Sequence, residues 1–226
     1  DLDNLIATAG VFYNFTSAQG AGITLTVNTG DTMTVNNTLT LTEGDIDTGT
    51  VDAKGTVSVG AGFDGGTGTL TITGTGTRTF TMEGGGQILK NVTINAANVT
   101  VNGPTSGTLT LDGSGIFTMT AGTFTGGVGS LNLGTSGAFS QGGGTFTWAG
   151  GTFTVPGTFD MTGGTFTGGS GTVDIAGAFT LTSGTAILTA PSGEMQFAGN
   201  WTHTATGATF NHNNGTVKFD SLSTTR

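Results

Sequence analysis

Cysteine is absent from this chain of 226 residues, proline occurs three times, and only five residues are Lys or Arg. Without cysteine there is no disulfide framework and no thiolate metal site, so redox logic does not place the chain in a compartment. Glycine is abundant but has no G-X-Y period and no accompanying proline, which excludes collagen. Only 8% of residues are charged, the net charge is −9, and neither Lys nor Arg occurs between Lys90 and Lys218. Such a chain has almost nothing with which to neutralise phosphates, so nucleic acid is excluded as a partner, and attraction to an anionic membrane surface with it. No apolar run reaches 18 residues and no basic segment precedes an apolar one. Neither membrane insertion nor an intact signal peptide is expected, although a secreted chain after processing has the same look. No apolar stripe at i, i+3, i+4, i+7 persists over a helical length.

What the chain does have is 44 glycines and 51 threonines, about two residues in five. Glycine weakens helices and threonine is stiff at χ1, so strands separated by tight turns are expected, and the chain reads as all-β. The vocabulary also repeats. GTFT stands at Gly122–Thr125, Gly144–Thr147, Gly151–Thr154 and Gly164–Thr167. Units beginning at Gly115, Gly137, Gly157, Gly177 and Gly199 have lengths of about 20–22 residues and align in three columns. The first column is Phe117, Phe139, Phe159, Phe179 and Trp201; the second is Phe124, Phe146, Phe166, Ile187 and Phe210. The third is a pair spaced by two: Leu131/Leu133, Phe153/Val155, Val173/Ile175, Met195/Phe197 and Val217/Phe219. Alternation puts the large side chain on one face and Thr on the other.

A looser version runs upstream. Val57, Val59, Phe63, Leu70 and Ile72 nearly reproduce the spacing from Phe159 to Ile175, and Leu39 and Ile46 are seven apart like Phe117 and Phe124. These observations predict a parallel β-helix of the right-handed type, a β-solenoid with about 20–22 residues and three short strands per coil. Coils about 4.8 Å apart place like residues above like, and roughly ten of them make a rod of about 50 Å. A β-sandwich is the alternative that short strands at regular spacing also permit. The expected organisation is an N-terminal cap or connecting segment over 1–19 and solenoid repeats over 20–226. The latter divide into irregular coils at 20–114, regular coils at 115–220 and an uncapped tail at 221–226.

The stretches Phe12–Val51 and Ile88–Gly115, with phrases such as NVTIN and TLTLTEGDIDTGTV, resemble the Thr/Gly-rich β-strand repeats of large bacterial surface and adhesin-like proteins. The units from Gly115 onward are similar to the β-helical stretches of such proteins. The resemblance implies an extracellular or cell-surface, structural or adhesive role, and it carries over no functional residues.

No catalytic signature appears, and the chain is expected not to be an enzyme. Glu43, Asp45 and Asp47 alternate with Ile46 and form a candidate Ca²⁺ site, the one cofactor the sequence suggests; a solvated acidic strand face is the preferred reading. Three GGxGx segments, at Gly65, Gly126 and Gly168, are similar to a calcium-binding nonapeptide, but the ligand position holds Leu70, Leu131 or Val173, so they are read as turns. His203 and His212 have no carboxylate beside them in sequence and are expected on the surface. Asp160, Asp174, Glu194 and Asp220 with Lys218 are too sparse for a β-helix lyase or hydrolase. The TFT arrays are of the kind ice-binding proteins use, but TAIL at Thr185–Leu188 interrupts the column, and Thr as a general β-former is preferred. Trp148 and Tyr13 are the only hints of an outward aromatic row.

Val217-Lys218-Phe219 keeps the core pattern nearly to the end. Either the chain is a segment of a longer solenoid, or the end of one subunit stacks on the start of the next; the expected partner is self, through end-to-end assembly of a rod or filament. The alternative is an adhesin stalk or a module that binds a glycan or host surface.

Overall fold

A computed structural model describes residues 4–7, 10–18, 20, 22–82, 87–88, 90–103, 106–111, 113–127, 129–204 and 206–220. The tail expected at 221–226 and part of the segment expected as a cap lie outside the described residues. Every strand pairing is parallel and no helix occurs among the described residues. The chain is a β-solenoid of about nine turns with roughly three strands per coil. The antiparallel pairs of a sandwich are not found among the described residues.

Three columns of inward side chains make the core. On the first face, Met33, Val51, Leu70, Val92, Phe117, Phe139, Phe159, Phe179 and Trp201 follow one another in register. The second face carries Phe15, Leu39, Val57 and Phe80, then Val101, Phe124, Phe146, Phe166, Leu188 and Phe210. On the third, Leu25 lies on Ile46, and further along Leu109, Leu131, Phe153, Val173, Met195 and Val217 are stacked. From residue 87 onward the third face is a separate seven-stranded sheet; the remaining strands form one sheet of eighteen. The larger sheet holds together because strands such as Thr32–Asp47 run around corners, through bulges at Leu41/Glu43 and Gly44/Asp45. The segment expected as a cap also contributes strands: Asn4–Ala7 pairs with Thr24–Val27, and Gly10–Ala18 pairs with Thr32–Asp47.

GTFT turns a corner and builds both sides of the strand that follows; at Gly151–Thr154 that strand belongs to the third face. In the other three the glycine stands between the first and second faces, where Gly122, Gly144 and Gly164 adopt φ of 83°, 69° and 76°, a left-handed conformation that side chains rarely tolerate. The Phe that follows is buried, and the two Thr flank it outward. Buried Gln141 braces the same corner: its Nε2 donates to the carbonyls of Gly144 at 3.2 Å and Thr165 at 3.0 Å.

The structure corrects the sequence reading in three places. The second column is continued by Leu188, which pairs with Phe166 and Phe210, while Ile187 faces outward and is 42% exposed. Trp148 is 1% exposed and lies within the core, its ring 6.4 Å from Phe146 and 6.0 Å from Phe153. It fits there because its register neighbour Gly126 has no side chain, and a Cβ at that position would meet the indole. Finally, the upstream repeat is out of phase by one face: Val57 and Val59 lie on the second face and Leu70 and Ile72 on the first, whereas Phe159 and Met161 lie on the first and Val173 and Ile175 on the third.

Candidate functional site

Glu43, Asp45 and Asp47 point outward from Thr32–Asp47 while Gly44 and Ile46 are buried. They do not converge. Gly44, at φ 80°, stands at a corner, so Glu43 ends the second face and pairs with Ala18, whereas Asp45 and Asp47 begin the third and pair with Thr24 and Thr26. Asp47 is engaged locally, its Oδ1 accepting from the Thr67 amide at 3.1 Å and the Thr67 hydroxyl at 2.9 Å. Oδ1 of Asp45 is buried without a hydrogen-bond partner. Among the described residues no three His, Asp or Glu side chains gather as a metal-holding group. In the GGxGx segments, Leu70, Leu131 and Val173 are core residues.

Both histidines are exposed at the last described coil. The ring of His203 lies 3.2 Å, through Nε2, from the Ala208 carbonyl, and Nδ1 of His212 accepts from the Asn214 amide at 3.0 Å. Each ring is thus tied to its own turn, and the two are not shown ligating anything together.

The carboxylates of the regular coils are more ordered. Asp174, Gln196 and Lys218 occupy successive outward positions of the third face. Beside that row, Asp174, Ala176, Gln196, Ala198 and Asp220 line a shallow groove of about 240 Å³. Lys218 is bonded to Asp220 at 2.6 Å, with both side chains about half exposed. This hydrogen bond, then the charge of Asp220, and then the more distant charges of Glu194 and Asp174, hold the Lys218 ammonium above its ordinary pKa against a small opposing desolvation.

The two ends of the solenoid differ from its flanks. The strands Trp201–His203, Thr209–Asn211 and Thr216–Phe219 are each paired on one side only among the described residues. Phe219 is 64% exposed, and Trp201, Phe210 and Val217 are half-buried. Their rings nevertheless pack together: Trp201 lies 5.0 Å from Phe210 and 5.6 Å from Phe219. At the other end Phe12 is 38% exposed and its ring lies 5.5 Å from that of Phe15. Nearby Tyr13 and Val11 are 71% and 73% exposed. Only an aligned pattern could have identified these end residues; the groove depends on which outward positions stack, and that is invisible until the register is known.

No family model, no curated protein and no solved structure matches the chain.

Proposed function

We propose that this chain is a structural element of an extracellular, cell-surface rod or filament that lengthens by stacking the N-terminal coil of a second copy on the C-terminal coil of the first. The observation that carries this reading is the last described coil: three parallel strands whose outer edges have no partner among the described residues, and an apolar row of Trp201, Phe210, Val217 and Phe219 left partly uncovered. Unpaired edges are templates for strand addition. The N-terminal coil supplies strands of the same direction with Phe12 and Phe15 facing the interior column. Such a contact joins two different surfaces and does not close on itself, so it generates filaments rather than dimers. The scarcity of charge along the rod leaves little to oppose axial or lateral packing. The extracellular placement rests on the likeness of the Thr/Gly-rich repeats to bacterial surface proteins, and the role is non-catalytic.

Sedimentation velocity over a concentration series tests this reading. The wild-type chain is expected to grow in sedimentation coefficient with concentration, while Phe219→Asp stays at the monomer value. A wild-type coefficient that does not change with concentration contradicts it.

One observation favours a second reading, an adhesin stalk or glycan-binding module. The groove between Asp174 and Asp220 presents carboxylates and an amide to solvent above Ala176 and Ala198. Binding on a glycan array that disappears in Gln196→Ala would support it.

A further inference from the structure

The outward positions of the second face form two parallel ranks. In successive coils they read Thr77/Thr79, Thr100/Asn102, Thr123/Thr125, Thr145/Thr147, Thr165/Thr167, Ile187/Thr189 and Thr209/Asn211. The TAIL segment interrupts only one of the ranks, because Thr189 falls in register with Thr167 and Ile187 alone takes a threonine position.

Threonine is not spread evenly over the rod. The corresponding positions of the third face include Asp174, Glu194 and Lys218, and those of the first include Asp160, Ala138 and Ile116. The second face from Thr77 to Asn211 carries no charged outward residue at these positions. At turns and strand ends, threonine hydroxyls bond within the chain: Thr73 to Asp52 at 2.6 Å, Thr120 to Asn95 at 2.6 Å, Thr135 to the Gly113 carbonyl at 3.3 Å. Along the second face the hydroxyls of Thr123, Thr125, Thr145, Thr147, Thr165 and Thr167 have no partner among the described residues, whereas that of Thr189 accepts from Asn211 Nδ2 at 3.5 Å.

From this we infer that the second face binds ice. Coils about 4.8 Å apart and positions two residues apart along a strand, about 6.6–6.8 Å, set a two-dimensional mesh of hydroxyl and methyl groups. Threonine holds its χ1, so the mesh is ordered before it meets a ligand and loses little entropy on binding. Each hydroxyl both donates and accepts, as water does, and each is accompanied by a methyl group. An ionic mineral lattice calls for opposite charges, which this face lacks. A crystalline polysaccharide calls for aromatic rings to stack on, and the aromatic residues of these strands, Phe124, Phe146, Trp148 and Phe166, are all buried. A periodic, uncharged lattice of small donors and acceptors fits what remains.

The test uses the whole chain. Nanolitre osmometry measures the gap between melting and freezing points, and a fluorescent label shows whether a growing ice crystal takes up the chain. The wild type is expected to open a gap, facet the crystal and be incorporated. The pair Thr145→Lys and Thr167→Lys is expected to lose most of that gap, whereas Thr154→Lys with Thr172→Lys on the third face keeps it. Circular dichroism melting verifies folding; if the second-face lysine pair melts early, Thr145→Val with Thr167→Val takes its place and is expected to weaken the effect. A wild-type chain that leaves crystals round and is excluded from ice overturns the inference, as does an equal loss in variants of both faces.

Discussion

The rings of Phe146 and Phe166, one coil apart, lie 5.2 Å apart and within 7° of parallel. Phe124 continues the stack on the other side at 5.1 Å and 16°. Each ring therefore belongs to two interfaces, and neither coil can repack around its loss without disturbing the other. Phe146→Ala is expected to destabilise the chain by about 3–5 kcal/mol, the cost of a large cavity in a core. Denaturant unfolding measures it; a loss below about 1 kcal/mol would mean that the ladder is not packed as described.

Trp148 fits because its register neighbour Gly126 leaves room for the indole. A Cβ on Gly126 would collide with the Trp148 indole. Gly126→Ala should cost about 1–3 kcal/mol through overpacking. Combining it with Trp148→Phe should cost less than the two changes added together, a coupling that a double-mutant cycle reads directly. Strict additivity would place the two residues out of contact.

Gln141 is buried in a column between Met119 and Met161, and its Oε1 has no partner. Its amide bonds brace the corner, but Gly144 O also accepts from the Thr165 amide at 2.9 Å. Gln141→Met exchanges a half-satisfied polar group for an apolar one of similar shape, so stability should change by no more than about 1 kcal/mol. Gln141→Glu behaves differently. Burial raises the pKa of a carboxyl, so the stability of that variant should be highest below the unfolded pKa and fall as pH rises toward the folded one. Thermal melts at acid and neutral pH distinguish the two variants.

Asp47 accepts hydrogen bonds from both the amide and the hydroxyl of Thr67. Asp47→Ala should cost about 1 kcal/mol through the two hydrogen bonds it loses, and neither calcium nor EDTA should move the melting temperature of the wild type. A rise in melting temperature with calcium that Asp47→Ala abolishes would reinstate the acidic strand as a metal site.

The fold was legible because an in-register stack writes its own geometry into the sequence. Phe117, Phe139, Phe159, Phe179 and Trp201 stand in one column because only like residues stack without a gap. What misled was local. Ile187 and Leu188 are adjacent and both apolar, so spacing alone does not choose between them; the neighbouring Phe166 and Phe210 do. Trp148 followed the outward Thr147 at a strand end, and its burial depends on a glycine, Gly126, one coil away. The phase of the upstream coils was hidden because a spacing of 2 and 7 recurs from any face to the next. The acidic residues were correctly placed on one side of their strand, but the corner at Gly44 that separates Glu43 from Asp45 is a three-dimensional event. Threonine lies outward on all three faces, and its enrichment in the ranks of the second emerges only once the faces are told apart.

Negative-stain electron microscopy of the purified chain across a concentration series tests the proposed assembly most directly. The account predicts rods of constant width whose shortest length is about 45 Å, nine turns at the interstrand spacing, and whose mean length grows with concentration through end-to-end joining. Rods of a single length at every concentration would contradict the assembly, and compact particles with no long axis would contradict the solenoid itself.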